Sequence, residues 1–206
     1  MIRMKIEANG NVGIGTTSSA LALLHVQDKA VLFTGLSSLF GVSAPPPVSG
    51  QGSRTFWYPE KGAFRTGAVS NNNIFGFPDA DVSNFNNWDK DSIGVFSFAA
   101  GFNTKAKGDF SVAMGNHAFA IGNTSTAFGS SNVAKGDYSM TAGNGNKANG
   151  YSSTAFGNYA TASGESSFAV GFSVLSSGNY TFASGAKSAT SLTTHWWRCR
   201  NTKKRA

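Results

Sequence analysis

The chain has 206 residues, a length that fits one ordinary domain or two small ones. Its 17 phenylalanines exclude a disordered chain, while 25 glycines and a charged fraction of only 13% favour a repeat protein or fibre over an ordinary enzyme. Five of the 17 basic residues behind the net charge of +7 lie in the last nine positions, so the body is nearly neutral and nucleic-acid binding is not indicated.

Residues 1–40 form the first predicted segment. They contain the run Asn9–Thr17 (NGNVGIGTT) and then an apolar stretch, Leu21–Val26. The run resembles the short Gly-Ile-Gly-Thr element of phage tail fibres and of large surface proteins of Bacteroidetes-like bacteria, which implies a tail-fibre-like β element. A phosphate-binding loop is not indicated, because the glycine spacing does not fit G-x-G-x-x-G and no Gly-Lys-Ser/Thr follows.

Targeting and crosslinking signals are few. Residues Met1–Gly10 hold no apolar run of signal-peptide length, and no stretch approaches the roughly 20 apolar residues of a membrane helix. We therefore expect no membrane insertion by this chain, with any export or anchoring signal outside it. The single cysteine, Cys199, excludes an internal disulfide framework.

Residues 41–53 and 54–92 precede the main repeat region. The first segment has three consecutive prolines flanked by glycines and is predicted to be a linker or extended strap. The second is predicted to cap the first coil of the repeats, and a carbohydrate platform is the alternative for its aromatic residues. These aromatic residues are Phe56, Trp57, Tyr58, Phe64, Phe75, Phe77, Phe85 and Trp88. The acidic residues Asp79, Asp81, Asp89 and Asp91 lack the EF-hand spacing and are expected in a polar loop.

A fourteen-residue period runs from Ile93 to Thr190 without insertion or deletion and defines seven coils. Two glycine columns, seven residues apart, mark every coil. The first column is Gly94, Gly108, Gly122, Gly136, Gly150, Gly164 and Gly178. The second column is Gly101, Gly115, Gly129, Gly143, Gly157, Gly171 and Gly185.

A unit this short and glycine-rich predicts two short strands joined by two tight turns, in which the glycines supply the turn dihedrals. Stacked coils place each strand beside its own copy, about 4.8 Å away, so seven coils give two parallel sheets in a slab about 34 Å long. The predicted fold of residues 93–190 is therefore an all-β parallel β-roll, or β-solenoid, preceded by an irregular β cap region.

The strand between the two glycine columns has two different faces, because side chains alternate along a strand. Small residues recur on one face, as at Ser97 and Ala99, and a further small column begins at Ala106; we expect these residues to line the thin interior. The opposite face is mostly apolar and forms a continuous outer stripe, which marks an interface with copies of the chain. The predicted interface residues are Phe98, Val112, Met114, Phe128, Met140, Phe156, Phe168, Val170 and Phe182.

The coils resemble a known family. Units such as Asp109–Gly115 (DFSVAMG) and Glu165–Gly171 (ESSFAVG), with the spacer Tyr159–Gly164 (YATASG), are similar to the head repeat of YadA-type trimeric autotransporter adhesins. The resemblance implies a left-handed parallel β-roll and a homotrimer about a common axis. It also implies an outer surface that meets an extracellular matrix protein, a cell-surface ligand or a glycan.

Catalytic and metal-binding patterns are missing from the sequence. The three histidines, His25, His117 and His195, lie in different segments without metal-ligand spacing. Asp109 and Asp137 occupy equivalent positions two coils apart, about 10 Å by stacking distance, a separation also found between glycosidase carboxylates. We expect them to be turn residues on a flat surface, and we predict no enzyme activity, no cofactor and no metal.

Residues 191–206 break the period and form a basic tail that we expect to be disordered, with electrostatic attachment to nucleic acid or an anionic surface as the alternative. The function predicted for the whole chain is that of a surface-displayed trimeric adhesin head, whose contacts add through multivalency. The alternatives are a receptor-binding tail fibre of a phage or contractile injection particle and a structural spacer without a ligand.

Overall fold

The computed structural model describes residues 4–14, 24–26, 31–35, 44–70 and 86–190. In these ranges the chain forms β-strands and 3-10 helical turns, among them Pro59–Lys61 and Lys90–Ser92, and no α-helix. The chain divides into two compact units, Met1–Gly35 and Leu36–Ala206. The predicted basic tail, residues 191–206, lies outside the described residues.

The first unit contains a three-stranded sheet. Strand β1 (Met4–Ile6) pairs antiparallel with β2 (Val12–Ile14), and β2 pairs parallel with β3 (Leu24–Val26). The β1–β2 turn closes through a hydrogen bond from the Gly10 amide to the Glu7 carbonyl, 2.9 Å, with Gly10 in a left-handed conformation. Of the Gly-Ile-Gly-Thr element, the residues after Ile14 lie outside the described part of the chain.

The second unit contains the predicted solenoid. Each coil has one strand of five residues and one of two residues. The longer strands are β6 (Phe98–Phe102), β8 (Val112–Asn116), β10 (Thr126–Ser130), β12 (Met140–Asn144), β14 (Thr154–Asn158), β16 (Phe168–Phe172) and β18 (Phe182–Ala186). The shorter strands are β7 (Lys105–Ala106), β9 (Phe119–Ala120), β11 (Val133–Ala134), β13 (Lys147–Ala148), β15 (Thr161–Ala162), β17 (Leu175–Ser176) and β19 (Ala189–Thr190).

Every strand of the solenoid pairs in parallel with its own copy in the next coil. The register places like on like, for example Ala113 opposite Ala127 and Gly115 opposite Gly129. The longer strands stack into one sheet, which two N-terminal strands extend to nine, and the shorter strands stack into a second sheet of seven. The prediction of an all-β parallel solenoid with seven fourteen-residue coils is confirmed.

The interior of the solenoid is lined by small residues. Side chains of the serine and alanine columns, such as Ser111 and Ala113 on the longer strands and Ala120 on the shorter ones, are fully buried. The sequence did not reveal a further buried column at the corner between the two strands of each coil. Its fully or almost fully buried members are Thr104, Ala118, Asn132, Asn146, Ala160 and Val174.

Two asparagines of this corner column form a ladder. The Asn146 side-chain amide donates to the carbonyls of Ala142 (3.0 Å) and Gly157 (2.8 Å), and its Oδ1 accepts from the Ala160 amide (2.9 Å). Oδ1 of Asn132 in turn accepts from the Asn146 backbone amide, 2.8 Å. The corner can hold a residue larger than alanine because the neighbouring glycine column has no side chains there. Each asparagine also forms hydrogen bonds with backbone groups of adjoining coils.

The two glycine columns have roles that differ from the expected turn role. In the second column, Gly101, Gly115, Gly129, Gly143, Gly157, Gly171 and Gly185 lie inside the longer strands with φ between 104° and 131°. In the first column, Gly108 and its equivalents begin a turn but have no positive φ. Instead, a Cβ on Gly108 would overlap the carbonyl oxygen of Gly122 in the next coil. Close stacking of backbones therefore explains the first column, and close stacking with a left-handed φ explains the second.

The left-handed turn positions carry other residue types than glycine in almost every coil. Phe110 has φ 58° and Tyr138 has φ 57°, and each donates its amide to a carbonyl of the preceding coil, to Val95 at 2.7 Å and to Asn123 at 2.8 Å. Such a bond offsets part of the cost of about 1–2 kcal/mol that the left-handed region imposes on side chains. These positions could not be identified from the sequence, because left-handed turn dihedrals are expected at glycine and these residues are mostly not glycine.

A β-hairpin precedes the first coil. Strand β4 (Gly52–Tyr58) pairs antiparallel with β5 (Ala63–Val69), and β5 continues the longer-strand sheet by pairing parallel with β6, Arg65 opposite Ala99. The strap 44–51 is tied to this hairpin. The Tyr58 hydroxyl donates to the Ala44 carbonyl, and the Arg54 guanidinium donates to backbone carbonyls of Ser49, Gly50 and Gln51.

Residues 86–93 complete the N-terminal end of the solenoid. Trp88 is fully buried, and its indole nitrogen donates to the Thr104 carbonyl at 3.0 Å. The Asn87 side-chain amide donates to the neighbouring Asn103 carbonyl at 2.9 Å. These two hydrogen bonds to backbone carbonyls therefore fix the segment to the corner of the first coil.

Candidate interaction surface

The outer face of the longer strands carries an apolar stripe. The structure places all nine predicted interface residues on this face, with their neighbours Ala99, Ala113 and Ala155 buried on the other side. Each of the nine is half-buried or exposed in the single chain: Phe98, Val112, Met114, Phe128, Met140, Phe156, Phe168, Val170 and Phe182. Whether copies of the chain cover this stripe stays a prediction, since one chain is described.

Aromatic side chains contact one another along the stripe. Phe168 stacks on Phe182 with ring centroids 5.3 Å apart, and it meets Phe156 edge to face at 5.8 Å. At the other end, Phe64 of β5 stacks on Phe98 at 5.7 Å. The stripe thus runs from the hairpin to the last coil, and in-register stacking brings the rings into ordered contact.

Phe64 is a member of the stripe that the sequence reasoning assigned to the cap region. It could have been found from a local signal, because Phe64-x-x-Gly67 repeats the pattern Phe98-x-x-Gly101. The structure pairs these residues directly, and Gly67 shares the left-handed φ of Gly101, 127° and 121°. The longer-strand sheet therefore continues into the hairpin with the same outward residue type.

One lateral side of the solenoid is built from the turns that follow the first glycine column. We call this side the first-turn edge, and its residues are 95–96, 109–110, 123–124, 137–138, 151–152, 165–166 and 179–180. Asp109 and Asp137, compared above with catalytic carboxylates, lie here. Oδ1 of Asp109 accepts from the Val95 amide, and Oδ1 of Asp137 accepts from the Asn123 amide, each at 2.8 Å. These contacts give both carboxylates a role in joining successive turns.

Exposed aromatic rings stand beside these carboxylates on the first-turn edge. Phe96 and Phe110 stack at 5.4 Å, and Tyr138 meets Tyr151 edge to face, also at 5.4 Å. The Tyr180 hydroxyl donates to Glu165 Oε1 at 3.2 Å, and the negative charge of Glu165 raises the pKa of Tyr180. The edge therefore combines ring faces with hydrogen-bonding groups.

The opposite lateral side, the second-turn edge, is formed by the turns after the second glycine column. It carries His117, a buried histidine whose Nδ1 lies 2.5 Å from Asn116 Oδ1 and whose Nε2 lies 3.2 Å from the Asn103 side-chain nitrogen. Burial lowers the pKa of His117. Tyr159, further along this edge, is exposed.

Two cations lie at the N-terminal end of the solenoid. Arg65 is fully buried and donates to the Ser97 hydroxyl (2.7 Å) and to backbone carbonyls, and burial lowers its pKa to about 9. Lys61 donates to the carbonyls of Lys90 (2.8 Å) and Ile93 (2.6 Å), and burial lowers its pKa as well. Both cations are thus held mainly by backbone dipoles.

The described residues show no group of three or more histidine, cysteine, aspartate or glutamate side chains that could hold a metal ion. Asp89 accepts the Gly50 amide at 2.8 Å, which ties the strap to the start of the solenoid. Asp79 and Asp81 lie outside the described residues, as do His195 and the His25 side chain. In the described part of the chain, no helix is long and apolar enough to span a membrane.

The repeats match a known family. The family model of the YadA head domain repeat, which comprises two copies of the repeat, matches residues 92–118, 120–146 and 148–173. Each match spans two fourteen-residue coils, so the three matches cover six of the seven coils in the structure. No curated protein matches the chain. The period, the in-register parallel sheets and the family matches agree, and residues 92–173 of this chain form a β-solenoid whose coils are similar to the YadA head domain repeat.

Proposed function

We propose that this chain is the head of a homotrimeric, surface-displayed adhesin that binds an extracellular ligand and does not catalyse a reaction. The observation that carries the proposal is the apolar stripe on a YadA-type head. It runs along the whole longer-strand sheet, and nothing within the described chain covers it. An apolar surface of this length needs a partner in water.

Copies of the same chain fit this stripe best. Its residues repeat every coil, so a second copy lying parallel meets the same spacing of side chains at each level of the stack. Cyclic symmetry about an axis parallel to the stack closes such an assembly, and the YadA-type family supports three copies. The shared centre then completes the core that one thin coil cannot provide.

The test is the oligomeric state after charges are introduced into the stripe. Native mass spectrometry of the unmodified protein is expected to give the mass of three chains. Replacing Phe156→Asp together with Phe168→Asp is expected to give monomers or aggregates, because burying carboxylates without partners is strongly unfavourable. Tyr159→Asp is the control, since it places one such carboxylate on an exposed aromatic position of the second-turn edge, and this variant is expected to stay trimeric.

A monomeric unmodified protein, or a double variant that remains trimeric, contradicts the proposal. Adhesion itself is tested by binding of the trimer to matrix proteins, cells and glycans, and three copies allow weak contacts to add. The spacer hypothesis predicts no specific binding to any of these. The tail-fibre hypothesis depends on residues 1–40, which precede the family matches, and it stays a prediction.

A further inference from the structure

The first-turn edge exposes large aromatic side chains that the fold does not need. The left-handed turn position carries Phe96, Phe110, Tyr138 and Tyr180 in four coils, but Thr124, Ser152 and Ser166 in the other three. Phe110, Tyr138 and Tyr180 are 58%, 55% and 61% exposed. The small residues adopt the same left-handed conformation, so the turn can form without a ring.

Neither burial nor backbone preference explains the rings. Bulky side chains are disfavoured in the left-handed region, where glycine and asparagine cost least. More than half of each of these three side chains remains in water, so the hydrophobic gain is small. Residues held in strained backbone conformations cluster at functional sites. Here three such residues, Phe110, Tyr138 and Tyr180, also expose their rings on one lateral side of the solenoid and form a row.

The row has a defined geometry. Phe110, Tyr138 and Tyr180 occupy equivalent positions two and then three coils apart, so their backbones are separated by about 10 Å and about 14 Å along the stack. Phe96 stacks beside Phe110, and Tyr151 lies 5.4 Å from Tyr138. A ligand that contacts all three stations must therefore be extended and run parallel to the stack.

The polar groups around the rings define the chemistry of the ligand. Asp109, Asp137 and Glu165 provide carboxylates, while the exposed Lys107 and Lys135 precede the turns that hold the two aspartates. This mixture of charges does not form the continuous positive groove that single-stranded nucleic acids require. Ring faces interleaved with both hydrogen-bond acceptors and donors suit a sugar, which has an apolar C–H face and a rim of hydroxyl groups.

We propose that the first-turn edge binds a neutral, extended polysaccharide, with Phe110, Tyr138 and Tyr180 stacking on successive parts of the sugar chain. The proposal deepens the adhesin function and rests on it, since it names the class of ligand. The sugar rings of an extended polysaccharide repeat at a distance close to the coil spacing. Because the two spacings are similar, successive sugar rings can contact successive turns of the first-turn edge, and no pocket is needed.

The test measures, by isothermal titration calorimetry, how the whole 206-residue chain in its trimeric form binds three neutral hexasaccharides: cellohexaose, maltohexaose and N-acetylated chitohexaose. A heparin hexasaccharide and a hexalysine peptide serve as anionic and cationic comparators. At least one neutral hexasaccharide is expected to bind. Tyr138→Ser and Tyr180→Ser are each expected to weaken that binding by at least about fivefold, the low end of what stacking on an aromatic side chain contributes in nucleic-acid binding.

The control variant is Tyr159→Ser. It makes the same change at a left-handed, 55% exposed position of the second-turn edge, where Ser131 and Ser173 occupy the equivalent sites. It is expected to leave affinity unchanged, and serine at all three positions has precedents in this same chain. Circular dichroism and native mass of each variant confirm that fold and assembly are retained.

The proposal is overturned if no neutral hexasaccharide binds at millimolar concentration, if only a charged comparator binds, or if Tyr159→Ser weakens binding as much as the edge variants. It is also overturned if the edge variants bind as tightly as the unmodified protein. A trimer that binds no sugar leaves the adhesin proposal standing, whereas a monomeric protein contradicts that proposal whatever the sugar result.

Discussion

Nη2 of Arg65 lies 3.0 Å from the carbonyl oxygen of Ala106, inside the open end of the first coil. Arg65 pairs with Ala99 across the sheet and so occupies the position that alanine fills in most of the following coils. Arg65 donates to three backbone carbonyls, those of Phe64, Ser97 and Ala106. Two of them already accept a backbone amide, Ala106 from Gly94 and Ser97 from Phe64, each at 3.0 Å. The arginine therefore fills the end of the interior, and the backbone bonds there do not depend on it.

The volume of Arg65 is expected to matter more than its charge. Arg65→Met keeps most of the volume and removes a buried charge, so it should change the free energy of unfolding by less than about 1.5 kcal/mol or raise it. Arg65→Ala leaves a cavity and should cost about 2–4 kcal/mol. Urea denaturation measures both. An equal loss in the two variants would show that the guanidinium hydrogen bonds stabilise this end.

Substitutions at two neighbouring glycines, Gly143 and Gly145, are expected to cost very different amounts of stability. A Cβ at Gly143 (φ 118°) would overlap the Gly157 carbonyl oxygen, so Gly143→Ala should separate two coils and cost about 3 kcal/mol or more. At Gly145 (φ 66°), a Cβ meets only the exposed Tyr159 ring at 2.7 Å. Gly145→Ser should cost no more than about 1–2 kcal/mol, the left-handed penalty that Ser131 and Ser173 already bear at the equivalent position.

Thermal and urea denaturation of these two glycine variants, followed by circular dichroism, make the comparison. A Gly145→Ser variant that loses as much stability as Gly143→Ala would indicate that serine is tolerated at this turn position only in the other coils. A neutral Gly143→Ala would mean that adjoining coils can move apart without loss of stability, which would contradict the close stacking of their backbones.

Stability is expected to fall at acidic pH because of His117. Burial lowers the folded-state pKa of His117 below the ordinary 6.5, so between these two values the unfolded chain binds more protons than the folded chain. Stability from this group is therefore complete above pH 6.5 and decreases as the pH falls towards the folded-state pKa. Protonation of Nε2 would also place a donor against the Asn103 amide nitrogen, 3.2 Å away.

The urea midpoint at pH 7.5 and at pH 5.5 measures this effect. His117→Asn is the matched variant, because Asn103 occupies the equivalent turn position of the preceding coil with φ 51°. The difference between the two midpoints is expected to be smaller in this variant than in the unmodified protein. An identical difference would assign the acid sensitivity to other groups.

The solenoid could be predicted because a stacked fold repeats its constraints. Each residue at a position equivalent to Ala113 contacts its own equivalent in the next coil. Small residues therefore recur every fourteen positions in the sequence. The two glycine columns indicate where each coil begins and ends. Glycine is required both where backbones approach closely and where φ is left-handed, so the sequence alone does not distinguish the role of Gly108 from that of Gly115. The corner column was missed because Asn132, Ala160 and Val174 differ in size and polarity.

The candidate surface was predictable only in part. Strand alternation identifies the apolar stripe from Phe98 to Phe182, whereas Phe64 stands at an interval that is not a multiple of fourteen. Arg65 has the sequence character of a surface residue, and its burial depends on lying at the end of a stack where carbonyl groups converge. The aromatic row was not recognised from the sequence either, because the same column of the period also contains serine and threonine.

The like-on-like register of Gly115 with Gly129 and of Ala113 with Ala127 makes the backbone contacts between successive coils nearly interchangeable. Loss or duplication of one fourteen-residue block rejoins equivalent surfaces and leaves both termini of the stack as they were. Each such event alters the height of the column by about 4.8 Å. Unequal recombination within the gene can thus change the length of the solenoid in small, equal steps, while the backbone stacking between coils stays the same.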